Sequence, residues 1–164
     1  MSISTPATHA LDFLTIPYRI FEHPRPPESL ELAASERGQD PRQVVRSILF
    51  RYQKDKFFLT LIAGPEQISW RSLRTHLGVS RVSMATEEEV LNVTGYAVGT
   101  VTPLGLAHPV RILADFNVFT PLEISLGSGL RGAAIIMKPD DLKRAIGNVE
   151  VGQFCKPGTS TGRV

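Results

Sequence analysis

The sequence predicts a mixed α/β domain, a mostly antiparallel sheet of about seven strands flanked by short helices. Three observations carry that expectation. Runs rich in β-branched and aromatic residues recur along the chain, Val44–Tyr52, Phe57–Ala63, Val110–Asp115 and Ala133–Met137 among them, and those adjacent in sequence favour antiparallel pairing. Between the runs lie short segments that open on a Ser or Thr cap and close on Gly or Pro, as brief helices do. Two glycine-rich stretches, 95–105 and 127–132, interrupt the apolar pattern and present peptide groups rather than side chains.

In chain order, Thr5 caps and Pro6 begins a first helix, with Ala7, Ala10, Leu11 and Leu14 on one stripe and Pro17 as its stop. Tyr18–His23 alternates as a short strand and delivers His23 to the Pro-rich stretch Pro24–Pro27, where a lone histidine is more often a hydrogen-bonded turn residue than a catalyst. Ser29 caps a helix that turns Leu30, Ala33 and Ala34 inward and stops at Gly38. Asp40-Pro41 starts a helical turn, after which Val44–Tyr52 and Phe57–Ala63 form strands joined by a charged hairpin turn, Gln53–Lys56. Arg46, near the start of an apolar strand, needs a partner, and an ion pair or a place at the strand's exposed edge accounts for it without function.

A helix is expected over Ser69–Leu77, with Trp70, Leu73 and Leu77 on its inner stripe and Arg71, Arg74 and His76 toward solvent. A strand at Arg81–Met84 leads to Thr86-Glu-Glu-Glu89, a capping box that explains these carboxylates without catalysis. Val110–Asp115 and Pro121–Leu126 are strands joined by a turn around Phe116–Phe119. The second glycine cluster turns into the last core strand, Ala133–Met137, and Lys138–Ile146 is a terminal helix with acids in its first turn.

Composition bounds the class. The 164 residues, 42% hydrophobic and 21% charged, describe a single domain with a real core, placed at 1–147, and a loosely held tail, 148–164, where the composition drifts to Gly, Thr, Ser and Lys. No apolar run approaches the roughly 20 residues that span a bilayer, and no basic segment precedes an apolar signal region, so no membrane partner and a cytoplasmic location are expected. Cys155 is the single cysteine, and the four histidines are scattered, so neither a metal nor a cofactor is expected. The net charge of +2 is compatible with a local phosphate-binding face. Neither a dinucleotide-binding glycine motif nor a Walker sequence is present.

The stretch Gly95-Tyr-Ala-Val-Gly-Thr-Val-Thr-Pro-Leu-Gly105 reads on spacing alone as a Gly/Pro turn, but one able to offer N–H and O–H donors to an ester or phosphate. Gly95, Tyr96, Gly99, Pro103 and Gly105 fall on the G-Y-x-x-G-x-x-x-P-x-G loop of the YbaK-type, prolyl-tRNA-editing family, which this chain resembles. The resemblance runs from about Tyr18 to Leu142, through His23-Pro24, Glu28-Ser29, Val44–Phe50, Ile124–Gly132 and Lys138–Leu142. It implies the YbaK/prolyl-tRNA synthetase-associated domain fold and a trans-acting aminoacyl-tRNA deacylase, a hydrolase that cleaves the ester of a misacylated tRNA. The partners would be the tRNA acceptor end and an aminoacyl-tRNA synthetase. The resemblance assigns catalysis to Arg46, Gly99, Thr100 and Thr102, and substrate binding to His23, Ser47, Val101, Pro103, Gly127 and Ser128. Two departures stand out. Arg46 occupies a position at which the family usually has lysine, and Leu130-Arg131 stands where some relatives carry a histidine. A guanidinium can clamp an anion as an ammonium does, but it cannot give up a proton. A catalytically inactive relative that binds tRNA or a synthetase is therefore the alternative, and a small-molecule-binding domain on the same scaffold is a third.

Overall fold

A computed structural model describes residues 3–157. Helix α1 (Pro6–Phe13) starts from Thr5, whose side chain accepts the Thr8 N–H while Thr8 answers in a reciprocal capping box. It ends one residue before Leu14, which is 45% exposed rather than on the buried stripe. Strand β1 (Arg19–Glu22) precedes α2 (Leu30–Arg37), capped by Ser29 and closed by Gly38 at φ 69°. A 3₁₀ turn, Pro41–Gln43, leads into β2 (Val45–Gln53) and β3 (Lys56–Ala63). Then come α3 (Trp70–Leu77), the two-residue β4 (Ser83–Met84) and α4 (Glu87–Thr94), with Thr86 and Glu89 forming the expected capping box. Beyond the long loop lie β5 (Arg111–Asp115), β6 (Ile124–Gly127), β7 (Ala133–Met137), α5 (Pro139–Ile146) and β8 (Glu150–Gly152).

The strands form two sheets, β1-β7-β6 and β4-β2-β3-β5-β8. The hairpins pair antiparallel, as expected of neighbours in sequence, but β3 with β5 and β5 with β8 are parallel. β5 and β6 are not partners despite the short turn between them: the chain changes sheets there. Side-chain alternation places Val45, Leu49, Leu59, Leu61 and Ala63 in a core shared with Ile124, Leu126, Ile135 and Met137 of the smaller sheet. On the opposite face Phe50, Phe58, Ile62 and Leu113 pack with Leu73 of α3 and with Phe154. The larger sheet is thus covered on both sides. Trp70 stands at the rim of that second cluster, edge-on to Phe50 with ring centroids 5.2 Å apart.

The tail expected from residue 148 is instead docked as far as Lys156, whose N–H donates to the Gln67 carbonyl at 2.8 Å. Phe154 is buried, its N–H donates to Asp115 Oδ1 at 2.8 Å, and Cys155 bridges to Ile68. The polar drift of the sequence concealed one large apolar anchor, and burying it offsets the ordering of the few residues around it. The remainder of the expected tail, 158–164, lies outside the described residues. Among the described residues, no helix is long and apolar enough to cross a membrane.

Candidate active site

A cavity of about 390 Å³ opens where the two glycine stretches meet the edge of β2. The first stretch begins with a β-turn, Ala97 to Thr100, in which the Thr100 N–H donates to the Ala97 carbonyl at 3.0 Å; Gly99, at φ 95°, occupies the third position that such a turn reserves for glycine. The second stretch approaches as backbone against backbone. A Cβ on Gly127 would stand 2.5 Å from the Val101 carbonyl oxygen, so no side chain fits there.

Both stretches are pinned from behind. Tyr96 is buried, its hydroxyl donates to the Leu104 carbonyl at 2.6 Å, and its ring lies where a Gly129 Cβ would be, at 2.6 Å; burial pushes its phenol up to about 12. Thr5 at the start of α1 donates to the Ser128 carbonyl at 2.7 Å, and Gly105 packs on the Pro6 carbonyl with room for no side chain.

Eight of the residues singled out in the sequence line this cavity: His23, Arg46, Ser47, Gly99, Thr100, Val101, Gly127 and Ser128. Thr102 and Pro103 do not. They are buried behind the loop, where they shape it without facing the opening.

The roles differ from what side-chain identity suggests. Both the N–H and the hydroxyl of Thr100 are committed to the Ala97 carbonyl, the hydroxyl at 2.9 Å. Among the described residues no acceptor takes the N–H of Gly99 or Val101, and these are among the donors at the wall. Ser128 Oγ donates to the Ala133 carbonyl at 2.8 Å and accepts from the Leu130 N–H, a loop brace rather than a free hydroxyl.

His23 accepts from Arg37 Nε at Nε2, 3.0 Å away. Arg has only donors, so the ring proton sits on Nδ1 and is given to Glu36 at 2.6 Å. Arg37 continues the chain to Ser125 Oγ, which donates to Gln39 Oε1. Both ring nitrogens of His23 are therefore occupied, and the side chain is 1% exposed.

Arg46 and Ser47 leave opposite faces of β2, since Arg46 pairs across from Ile62 and Ser47 from Leu61, members of different cores. The Arg46 guanidinium donates to the carbonyls of Gly64, at 2.9 Å, and Glu66, and burial lowers its pKa. Ser47 Oγ is buried at the cavity wall with no hydrogen-bond partner among the described residues. Its peptide groups also face the opening. The Val44 carbonyl accepts from Gly64 on the β3 side and the Leu49 carbonyl from Ala85 on the other, and such alternation turns Ser47 N–H and C=O out of the sheet edge.

Among the described residues the wall holds three arginines, Arg37, Arg46 and Arg131, and no carboxylate. Arg37 and Arg131 are members the sequence reading left out. Arg37 reads as an ordinary helix-end cation, and only the fold brings it across to His23. Among the described residues, no group of three or more His, Cys, Asp or Glu side chains is placed to hold a metal. No hydroxyl of the wall is bonded to a histidine, so the arrangement offers peptide donors, one free serine and positive charge rather than a nucleophile with its base.

The family model of the aminoacyl-tRNA editing domain matches residues 25–145, and the chain belongs to that family. Over 91 residues it is 37% identical to a proline–tRNA ligase of Kosmotoga olearia, covering 56% of this chain but 15% of the ligase. It is 30% identical over 114 residues to the uncharacterized protein YwhH of Bacillus subtilis, covering 70% of this chain and 72% of YwhH. A crystal structure titled as a candidate trans-editing enzyme for prolyl-tRNA synthetase superposes with a TM-score of 0.83 at 25% identity, covering 94% of this chain and 99% of that one.

Proposed function

We propose that this chain is a trans-acting aminoacyl-tRNA deacylase of the cytoplasm, hydrolysing the ester between a small, wrongly attached amino acid and the terminal ribose of a tRNA, with an aminoacyl-tRNA synthetase as a working partner. The observation that carries the reading is the cavity between Gly99–Val101 and Gly127–Ser128, walled by uncommitted peptide N–H groups and by cations. An aminoacyl ester is already activated and brings a vicinal hydroxyl, so its hydrolysis needs a positioned water and donors for the oxyanion more than a protein nucleophile. The N–H groups of Gly99 and Val101 would take that oxyanion. Ser47 Oγ, without a partner among the described residues, would bond the substrate's polar end. The apolar part of the wall, Val44, Val45, Ile48 and Leu126, would select by size, at about 1–3 kcal/mol per methylene.

One observation favours a second reading, a relative that binds tRNA without turnover. Arg46 holds the carbonyls of Gly64 and Glu66 and so acts as a brace for the segment after β3. Release of amino acid from a panel of misacylated tRNAs separates the readings. Hydrolysis of at least one by the native protein is expected. Binding without hydrolysis, with turnover appearing in Arg46→Lys, would establish the second reading. Absence of tRNA affinity even at low salt would discard both.

A further inference from the structure

We propose that Arg131 is the specificity-determining cation that recognises the 5′-phosphate of the aminoacylated terminal nucleotide; the proposal rests on the editing reading above and assigns a role to a residue outside its catalytic core. Arg37 donates to His23 and Ser125, and Arg46 to two carbonyls, so two of the three arginines at the cavity are already engaged. Among the described residues Arg131 has neither a hydrogen-bond acceptor nor an ion-pair partner, and it is exposed at the mouth.

Its guanidinium lies over the oxyanion turn itself. A Cβ on Gly99 would stand 3.7 Å from Nη1 and 3.9 Å from Nη2, ordinary contact distances, so the fork rests on that glycine. The backbone that presents Arg131 is held on both sides. Ser128 Oγ accepts from the Leu130 N–H at 3.2 Å, the Gly132 carbonyl accepts from the His23 N–H at 2.8 Å, and Gly129 and Gly132 take φ of 89° and 83°. A planar fork on a braced loop loses little freedom on binding and matches a phosphate with two parallel hydrogen bonds.

The chemistry selects the anion. An ester whose carbonyl oxygen meets the Gly99 and Val101 N–H groups leaves its own ribose beside the turn that Arg131 covers, and the charge which that ribose carries is its 5′-phosphate. With no carboxylate in the wall, nothing there competes for the guanidinium. Gly99 is reserved for glycine by its backbone, at φ 95°, and the fork lies within contact range above it.

The test compares two small substrates, alanyl-adenosine and alanyl-adenosine 5′-monophosphate, each esterified at the ribose 2′/3′ position, with native protein, Arg131→Gln and Arg131→Lys. The native protein is expected to prefer the phosphorylated ester by about tenfold in kcat/KM, the scale of a charge-assisted contact. In Arg131→Gln the preference falls to within about twofold of unity, and Arg131→Lys recovers part of it. A purely structural role would slow both esters alike and leave the ratio unchanged, which would overturn the assignment while the editing reading stands. Hydrolysis of neither ester by the native protein would remove the editing reading for this amino acid, and the assignment with it.

Discussion

At the scale of single residues, Ser47 and Thr60 carry buried hydroxyls with no partner among the described residues, and each costs on the order of 1–3 kcal/mol if nothing ever pairs with it. They sit on different faces. Ser47 lines the cavity, whereas Thr60 is opposite Ile48, on the face that carries Phe58 and Ile62. If Ser47 Oγ awaits a substrate, Ser47→Ala leaves the urea midpoint unchanged or raises it while KM for the ester rises severalfold. Thr60→Val, shape-conserving, raises stability by up to about 1 kcal/mol and leaves KM alone. Ser47→Ala with unchanged KM would show the hydroxyl to be mere packing. The identity of Ser47 was legible beside Arg46 from the run Val44–Phe50; that their side chains part to opposite faces follows from strand alternation, but which face holds the cavity does not.

At the scale of elements, β8 is the one strand that composition hid, and its hold on β5 is partly electrostatic. Glu150 accepts from Arg111 Nε at 2.6 Å and Nη2 at 2.9 Å, and meets His76 of α3 at 2.8 Å. The Arg111 hydrogen bonds, then His76, pull the Glu150 carboxyl from 4.5 down to about 2. The sign follows from linkage: a carboxylate whose pKa is lower in the folded state contributes stability that is complete above about pH 4.5 and lost as pH falls through about 2. The side chain is more than a third exposed, so screening limits the effect to about 0.2–1 kcal/mol. Glu150→Gln is therefore less stable than the native chain at pH 6, and the gap closes between pH 4.5 and 2 in thermal melts. A gap that persists at low pH would mean that shape rather than charge holds β8. The caps at Thr5, Ser29 and Thr86 were readable because capping is a contact of three residues' span, whereas the partner of a strand's edge is not written near it.

At the scale of the whole molecule, the C-terminal segment closes the second core. Phe154 fills the space between α3 and β5, with His76 edge-on to its ring, and Cys155 sits half-buried beside Asp115. Burial, then the Asp115 carboxylate, pushes the Cys155 thiol up to about 12. Only the thiolate alkylates, so native protein at pH 8 reacts with iodoacetamide at least about a hundredfold more slowly than protein unfolded in urea, and its rate climbs with pH without a plateau up to pH 10. Fast alkylation at pH 8 would mean that this segment opens and that the second core is not closed as described.

The amino-acid order by itself determined the strands and helices as far as α5, most of their caps, the two glycine stretches and the family, because each rests on periodicity or on residues within one turn of each other. Only the tertiary structure decided that the two stretches meet, that Arg46 braces a loop, that Thr102 and Pro103 stand behind the opening, and that Arg131 is left over it. Those outcomes hang on contacts such as Thr5 with Ser128, Val44 with Ser125 and Asp115 with Phe154, where register and packing join residues far apart in the chain. A side chain's type says what it can bond, and its neighbours in space decide which of those bonds remain free for a substrate.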